Sequence, residues 1–241
     1  MSAAKPPAHS AAPTAAHKTS LFAPTGTGVY AVATAIMAVV LVLSNIGASK
    51  GVTFGPIVTD GGFFLFPVAY IVGDVISEVY GWRASRRSII TTFSLSVFAS
   101  LCYWVIIALP GAEWYDGQAA LERTLGPVPM IVLASLLGFL TGQMSNAWFM
   151  VFLKRRTGER KLFGRIALST LVGEFLDTLI FCAIAAGVIG INDPLTFINY
   201  VLVGFVFKSA VEIVCSPVTI WVMNLVKRCE PAYAKGSATL R

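Results

Sequence analysis

Charge placed inside apolar sequence is the first chemical signal in this chain. Asp74 and Glu78 stand four residues apart in one apolar run, Glu174 and Asp177 three apart in another, and Lys208 and Glu212 four apart in a third. On a helix each spacing puts both side chains on one face. A charged group at mid-bilayer costs at least about 2.5–3.5 kcal/mol on insertion scales, so such groups need a reason to be there. Five acids against one base cannot all be ionised and dry. Either several hold protons, or water and a polar ligand solvate them. Phe63, Phe66, Pro67 and Tyr70 precede Asp74 at turn-like intervals, Ser44 and Asn45 close the first apolar run, and Gln143, Ser145 and Asn146 interrupt the fourth ahead of Trp148 and Phe149. Pro67 and Pro217 would each leave a helical carbonyl, those of Phe63 and Ile213, without a donor, which is tolerated beside a cavity or other protein. Acids, amides, one lysine and aromatics around a cavity are what hold a heteroaromatic base, by stacking plus paired polar contacts.

Plainer roles compete for the same residues. Lys208–Glu212 could be an internal bridge within one helix, and Glu78, near a helix end, could simply be hydrated. The amides could serve only to join helices, and Arg83, Arg86 and Arg87 read most simply as topology anchors. Ala31 and Ala35 form a small-residue step that suits close helix packing.

The elements that position these residues follow from composition. The 241-residue chain is 56% hydrophobic and 12% charged, with a mean hydropathy of +0.76. A soluble domain is about 45–50% apolar and about 25% charged, so lipid is the solvent for most of this chain. Six apolar runs, roughly 29–47, 62–80, 88–109, 127–152, 166–190 and 197–226, are each long enough to span a bilayer as a helix. Pro110 closes the third, Pro127 and Pro129 open the fourth, and Gly190, Asn192 and Pro194 separate the last two. The expected fold is an all-α integral membrane protein of six transmembrane helices over residues 28–228. A disordered cytoplasmic tail at 1–27, not expected to be a signal peptide because the first apolar stretch starts too late and is too long for an h-region, and a C-terminal tail at 229–241 flank it. Residues 51–60 carry β-branched side chains around Gly55-Pro56 and predict a short hairpin, and the polar stretch 111–126 predicts a short helix.

Both histidines, His9 and His17, lie in the tail, which argues against zinc hydrolase or di-iron chemistry. Cys102, Cys182, Cys215 and Cys229 have no metal-ligand spacing and read as apolar fillers, so neither a metal nor a cofactor is expected. With the N-terminus cytoplasmic, fifteen of the eighteen bases fall on the cytoplasmic side, Lys50 and Arg123 fall outside, and Lys208 lies within the sixth run. That asymmetry orients six helices with both termini inside, and it accounts for the net charge of +6 without a nucleic-acid partner. The two three-helix halves then have opposite orientations, which permits an inverted repeat that residue identities do not reveal.

Taken together, Asn45 to Lys50, the block Phe63 to Gly81 with its Pro-x-x-Tyr-x-x-Gly-Asp-x-x-x-Glu-Val-Tyr-Gly pattern, and Arg83 with Arg86-Arg87 resemble the queuosine precursor transporter family, also called vitamin-uptake-transporter-like. So do Gly142-Gln143 with Asn146, Arg165 through Ser169-Thr170, Glu174 and Asp177-Thr178, and Gly204 with Lys208 and Pro217. The resemblance covers about residues 30–225. It implies a six-helix bacterial inner-membrane importer of 7-deazaguanines, chiefly the 7-cyano (preQ0) and 7-aminomethyl (preQ1) compounds that feed queuosine synthesis in tRNA. It also implies a fold similar to the substrate-binding subunits of energy-coupling-factor transporters, working without the ATPase module. One departure is Asn146, where the family commonly has an aspartate; a candidate charge is absent there. A guanine-like edge offers a donor pair to a carboxylate and an acceptor oxygen to an amide or lysine, and a cationic aminomethyl group suits an acid-lined site. The candidate substrate-binding residues are therefore Asn45, Phe66, Tyr70, Asp74, Glu78, Gln143, Asn146, Glu174, Asp177 and Lys208.

Three other readings remain at this level, one of them a structural or adaptor membrane protein, which does not explain six polar groups placed on three helices. A vitamin-binding subunit that docks on an ATP-driven module would need partner proteins for uptake. An intramembrane aspartyl protease would use two aspartates sharing a proton, but Ile71 stands where that motif has glycine and no Pro-Ala-Leu block is present. The oligomeric state is left open, a homodimer being one option.

Overall fold

In the computed structural model, residues 22–231 and 233 are described, apart from 55, 56, 63, 127, 128 and 188–190. The described chain is almost wholly helical: α1 (Gly28–Gly47), a hairpin of β1 (Gly51–Phe54) and β2 (Ile57–Asp60), α2 (Phe66–Tyr80), α3 (Trp82–Ala108), α4 (Gln118–Leu125), α5 (Pro129–Thr157), α6 (Leu162–Ala185) and α7 (Pro194–Cys229). The strands pair antiparallel, with Gly51 opposite Asp60. The hairpin and the short helix α4 fall where the sequence predicts them, although the Gly55-Pro56 turn lies outside the described residues.

Five helices, α1, α3, α5, α6 and α7, are long and apolar enough to cross a membrane. The second apolar run departs from expectation. Only its last 15 residues form a helix, because the chain between the hairpin and Phe66 is a turn, closed by Leu65 N–H donating to the Gly62 carbonyl. At about 1.5 Å per residue, α2 is shorter than a hydrocarbon core of about 30 Å. Pro67 accordingly sits in the first turn of α2, where a missing N–H costs little, and does not interrupt the helix as the sequence suggested. Pro217 does lie inside α7.

The short helix is the centre of the bundle. It packs against α1, α3, α5 and α7, and every residue from Gly73 to Tyr80 is buried. A helix carrying Asp74, Ser77 and Glu78 is kept out of lipid in this way, while the large apolar side chains of Leu95, Phe98, Trp104, Val206, Val214 and Trp221 face outward from α3 and α7. α2 passes into α3 through Gly81 alone, at φ 79°, a left-handed conformation that glycine adopts without strain. A side chain there would also meet Phe22, with a Cβ 2.9 Å from its ring.

α5 and α6 form the most extensive helix pair. Glycines set their close approach. A Cβ on Gly142 would lie 2.9 Å from the Gly173 carbonyl oxygen, and one on Gly173 would lie 2.8 Å from the Asn146 Cβ. This contact brings Gln143 and Asn146 of α5 against Glu174 and Asp177 of α6. Residues 22–27, assigned to the tail by composition, lie along the bundle: Ala23 N–H donates to the Val79 carbonyl at 2.8 Å. Residues 1–21 and most of the C-terminal tail lie outside the described residues.

Candidate functional site

Side chains from four helices meet in the middle of the bundle. α2 supplies Phe66, Tyr70 and Asp74; α5 supplies Gln143 and Asn146; α6 supplies Thr170, Glu174 and Asp177; α7 supplies Lys208 and Glu212. All except Phe66 and Lys208 are buried. Asn146 Nδ2 donates to Asp74 Oδ1 at 2.6 Å. Lys208 Nζ donates to Asp177 Oδ2 at 2.6 Å, lies 4.0 Å from Glu174 Oε2, and sits 4.1 Å above the Phe66 ring. Phe66 and Tyr70 form a tilted pair with centroids 5.1 Å apart. Lys208 therefore bridges α7 to α6 and not, as its spacing from Glu212 allowed, to its own helix.

The rest of the cluster's polar capacity is unmet. The Tyr70 hydroxyl, both ends of the Gln143 amide, Asn146 Oδ1, Thr170 Oγ1, both Glu174 oxygens and Glu212 Oε2 are buried without a hydrogen bond of ordinary geometry. These are most of such atoms among the described residues. Buried polar atoms are normally partnered, so a concentration of unpartnered ones marks a place built for something further. Glu212 lies within electrostatic reach of both Asp74 and Glu174, and Tyr70 of Glu174, Asp177 and Glu212. The carboxylates are close enough to repel, yet among the described residues no three are disposed to hold one metal ion.

A second polar cluster lies one turn further along α2 and is arranged in the opposite way. Glu78 Oε1 accepts from Arg165 Nη2 and from Lys227 Nζ, each at 2.7 Å, and lies 3.3 Å from Lys154 Nζ. Lys154 also donates to the Glu78 backbone carbonyl at 2.6 Å, is hydrogen-bonded to the Tyr233 hydroxyl, and lies 4.9 Å over the Phe22 ring. Arg165 Nη1 donates to the carbonyls of Gly158 at 2.6 Å and Arg160 at 2.5 Å, closing the turn between α5 and α6. Lys227 bridges on to Glu159 at 2.7 Å. Burial alone would raise the Glu159 carboxyl, but the hydrogen bond from Lys227 and the charges of Lys154 and Lys227 hold it below its ordinary value. Beside this cluster, Tyr80 and Thr27 both hydrogen-bond to Glu230 Oε1, tying the two ends of the chain to α2.

Of the ten candidate residues, eight come together: Phe66, Tyr70, Asp74, Gln143, Asn146, Glu174, Asp177 and Lys208. Glu78 belongs instead to the ionic cluster. Asn45 accepts from Ser135 Oγ at 3.1 Å, a contact between α1 and α5 that involves none of the acids. Glu212 and Thr170 join the cluster although they were not among the candidates. Glu212 carried a visible signal, an acid within an apolar run one turn from Lys208. Of the bases around Glu78, Arg165 stood in one of the blocks that carry the resemblance, while Lys154 and Lys227 carried no signal beyond their position at helix ends.

The family model described as "Putative vitamin uptake transporter" matches residues 60–222. Two curated relatives are similar to this chain. "Probable queuosine precursor transporter" of Bacillus subtilis (strain 168) is 25% identical over 177 residues, 73% of this chain and 76% of the relative. "Queuosine precursor transporter" of Escherichia coli (strain K12) is 30% identical over 161 residues, 65% of this chain and 68% of the relative. No solved structure matches. The matched region runs from the end of the hairpin through α2 and nearly to the end of α7, so it contains the whole central cluster and Glu78, Lys154, Glu159 and Arg165 of the ionic one, and the chain belongs to the vitamin uptake transporter family.

Proposed function

We propose that this protein imports queuosine precursors, 7-cyano- and 7-aminomethyl-7-deazaguanine, across a bacterial inner membrane, with six crossings and both termini cytoplasmic. The carrying observation is the set of buried, unpartnered donors and acceptors held between α2, α5, α6 and α7 inside an apolar exterior. The names of the two relatives point to the same substrates. The starts of α1, α3 and α6 and the ends of α2, α5 and α7 share one basic end through the contacts around Glu78 and Glu230, as alternating crossings require. The positive-inside asymmetry makes that end cytoplasmic. A fold like that of energy-coupling-factor substrate-binding subunits accords with this arrangement.

In this reading Glu174, whose oxygens make no hydrogen bond of ordinary geometry and stand beside Tyr70 and Lys208, accepts the paired N–H donors of the guanine-like edge. Gln143 and Asn146 serve its acceptors, and Tyr70 packs beside the ring. Phe66 gives its face to Lys208, so stacking on Phe66 requires the ammonium to move aside. The test is queuosine content in tRNA of a bacterial host that lacks both precursor synthesis and its own importer and expresses this chain at low external precursor. Restored queuosine is the expected result. No restoration, with the protein present in the membrane, overturns import by this chain alone and turns attention to the family's vitamin description and an ATP-driven partner.

A further inference from the structure

The central cluster has an excess of acid that its own bases do not answer. Asp177 is taken by Lys208 at 2.6 Å. Asp74 on α2 and Glu174 on α6 each stand beside Glu212 on α7, and Lys208, at 4.0 Å from Glu174, is the one base among the described residues that reaches any of the three by an ion pair. The other groups that face them are Glu78 and Tyr70 on α2, Asn146 on α5, Asp177 and Thr170 on α6 and Cys215 on α7; Glu78 is already held by three bases, and Gln143 of α5 packs on Gly73 beside Asp74. Three carboxylates buried around Glu212 at no more than 8% exposure cannot all be ionised without a counter-cation. The unpartnered Gln143 amide and the unpartnered Oδ1 of Asn146, whose Nδ2 is bound to Asp74, are both fully buried and mark this as a ligand position rather than a plain acidic patch.

Resting on the import reading above, we propose that the Asp74–Glu174–Glu212 group is a proton-loaded site for a cationic ligand, exchanging a proton for the ammonium of a 7-aminomethyl-7-deazaguanine. In the empty site a carboxylic acid O–H holds the proton. On binding, that O–H bond breaks, the proton leaves to solvent, and the carboxylate formed accepts an N–H of the ligand's ammonium. The net charge of the buried site is the same before and after. A neutral 7-cyano ligand offers no ammonium, binds with that one carboxylic acid still protonated, and displaces no proton.

The experiment is a calorimetric binding titration of the purified full-length protein in detergent, with the 7-aminomethyl and the 7-cyano compounds each at pH 6, 7 and 8. A primary alkylamine, with a pKa near that of lysine, about 10, stays charged across this range, so any slope belongs to the protein. Release of one proton predicts a Kd for the aminomethyl compound that falls about tenfold per pH unit, while the Kd of the cyano compound stays flat. Glu212→Gln is expected to flatten the aminomethyl slope; the wild-type titration stands as the test should that variant fold poorly. Equal slopes for the two ligands, or none for the aminomethyl compound, overturn proton exchange and leave the import reading intact. Failure of both ligands to bind at every pH overturns the import reading, and this inference with it.

Discussion

Asp74 and Glu78 are buried carboxylates one turn apart on the same helix, and they meet opposite surroundings. Glu78 collects three bases from α5, α6 and α7, and its charge ties those helices to α2. Asp74 receives one amide from α5 and shares its neighbourhood with two more acids. The first arrangement answers its charges within the fold; the second leaves them to be answered from outside. A buried carboxylate surrounded by bases is part of the frame, since removing either partner strands a charge. One surrounded by acids and unpartnered amides has been kept at a cost to the frame, which is how binding sites commonly differ from cores.

The largest expected effect tests that division directly. Glu78→Gln leaves Lys154, Arg165 and Lys227 crowded with only Glu159 beside them, and should cost about 3–5 kcal/mol of stability, read as a large drop in melting temperature in detergent. Glu174→Gln removes a charge that the fold does not satisfy, so its melting temperature should hold or rise. Its ligand affinity should fall by about 1.5–3 kcal/mol, roughly ten- to a hundredfold, through the lost charged hydrogen bonds. Matching losses of stability in the two variants would erase the distinction between the clusters.

A smaller effect should appear where the helices that carry the central cluster touch. A methyl group on Gly142 would lie 2.7 Å from the Asp177 Cβ, 2.9 Å from the Gly173 carbonyl oxygen and 3.1 Å from the Tyr70 hydroxyl. Gly142→Ala should therefore push α6 from α5 and cost about 1–3 kcal/mol. Because the strain falls at the central cluster and not at the Glu78 end, transport should fall further than stability does. Uptake near the wild-type level, measured at a temperature where the variant stays folded, would show that the α5–α6 spacing does not position the site.

The sequence carried the transmembrane class, the hairpin, the short helix α4 and most of the central cluster. Each depends on local pattern: apolar run length, turn residues, or acids at helical spacing. It misplaced what depends on meeting across the bundle. The apolar run 62–80 has the composition of a spanning helix, yet its first residues are spent leaving the hairpin, so α2 is short and Pro67 is a start rather than a kink. Glu78 shares a face with Asp74, and only the placement of Lys154, Arg165 and Lys227 at the ends of three other helices separates their roles. Lys208 had an acid one turn away on its own helix and another, Asp177, on the helix beside it. Side-chain reach across α6 and α7 decided between them, and one-dimensional spacing holds no record of that.

The smallest effect lies at the solvent edge of the ionic cluster. Glu159 is about a third exposed, at 34%, and accepts from Lys227 at 2.7 Å while lying 3.1 Å from Lys154. Its carboxyl is held below the ordinary value of 4.5 in the folded protein. A folded value below the unfolded one means the group stabilises the fold above about pH 4.5, and that contribution is lost as pH falls through the lower, folded value. Solvent screening limits it to about 0.2–1 kcal/mol. Glu159→Gln should thus melt slightly below wild type at pH 7, and the gap should close in strongly acid buffer, where the wild-type carboxyl is itself protonated. A gap that stayed constant with pH would assign the contribution of Glu159 to packing in place of charge, and would leave Glu78 as the sole acid holding the three bases together.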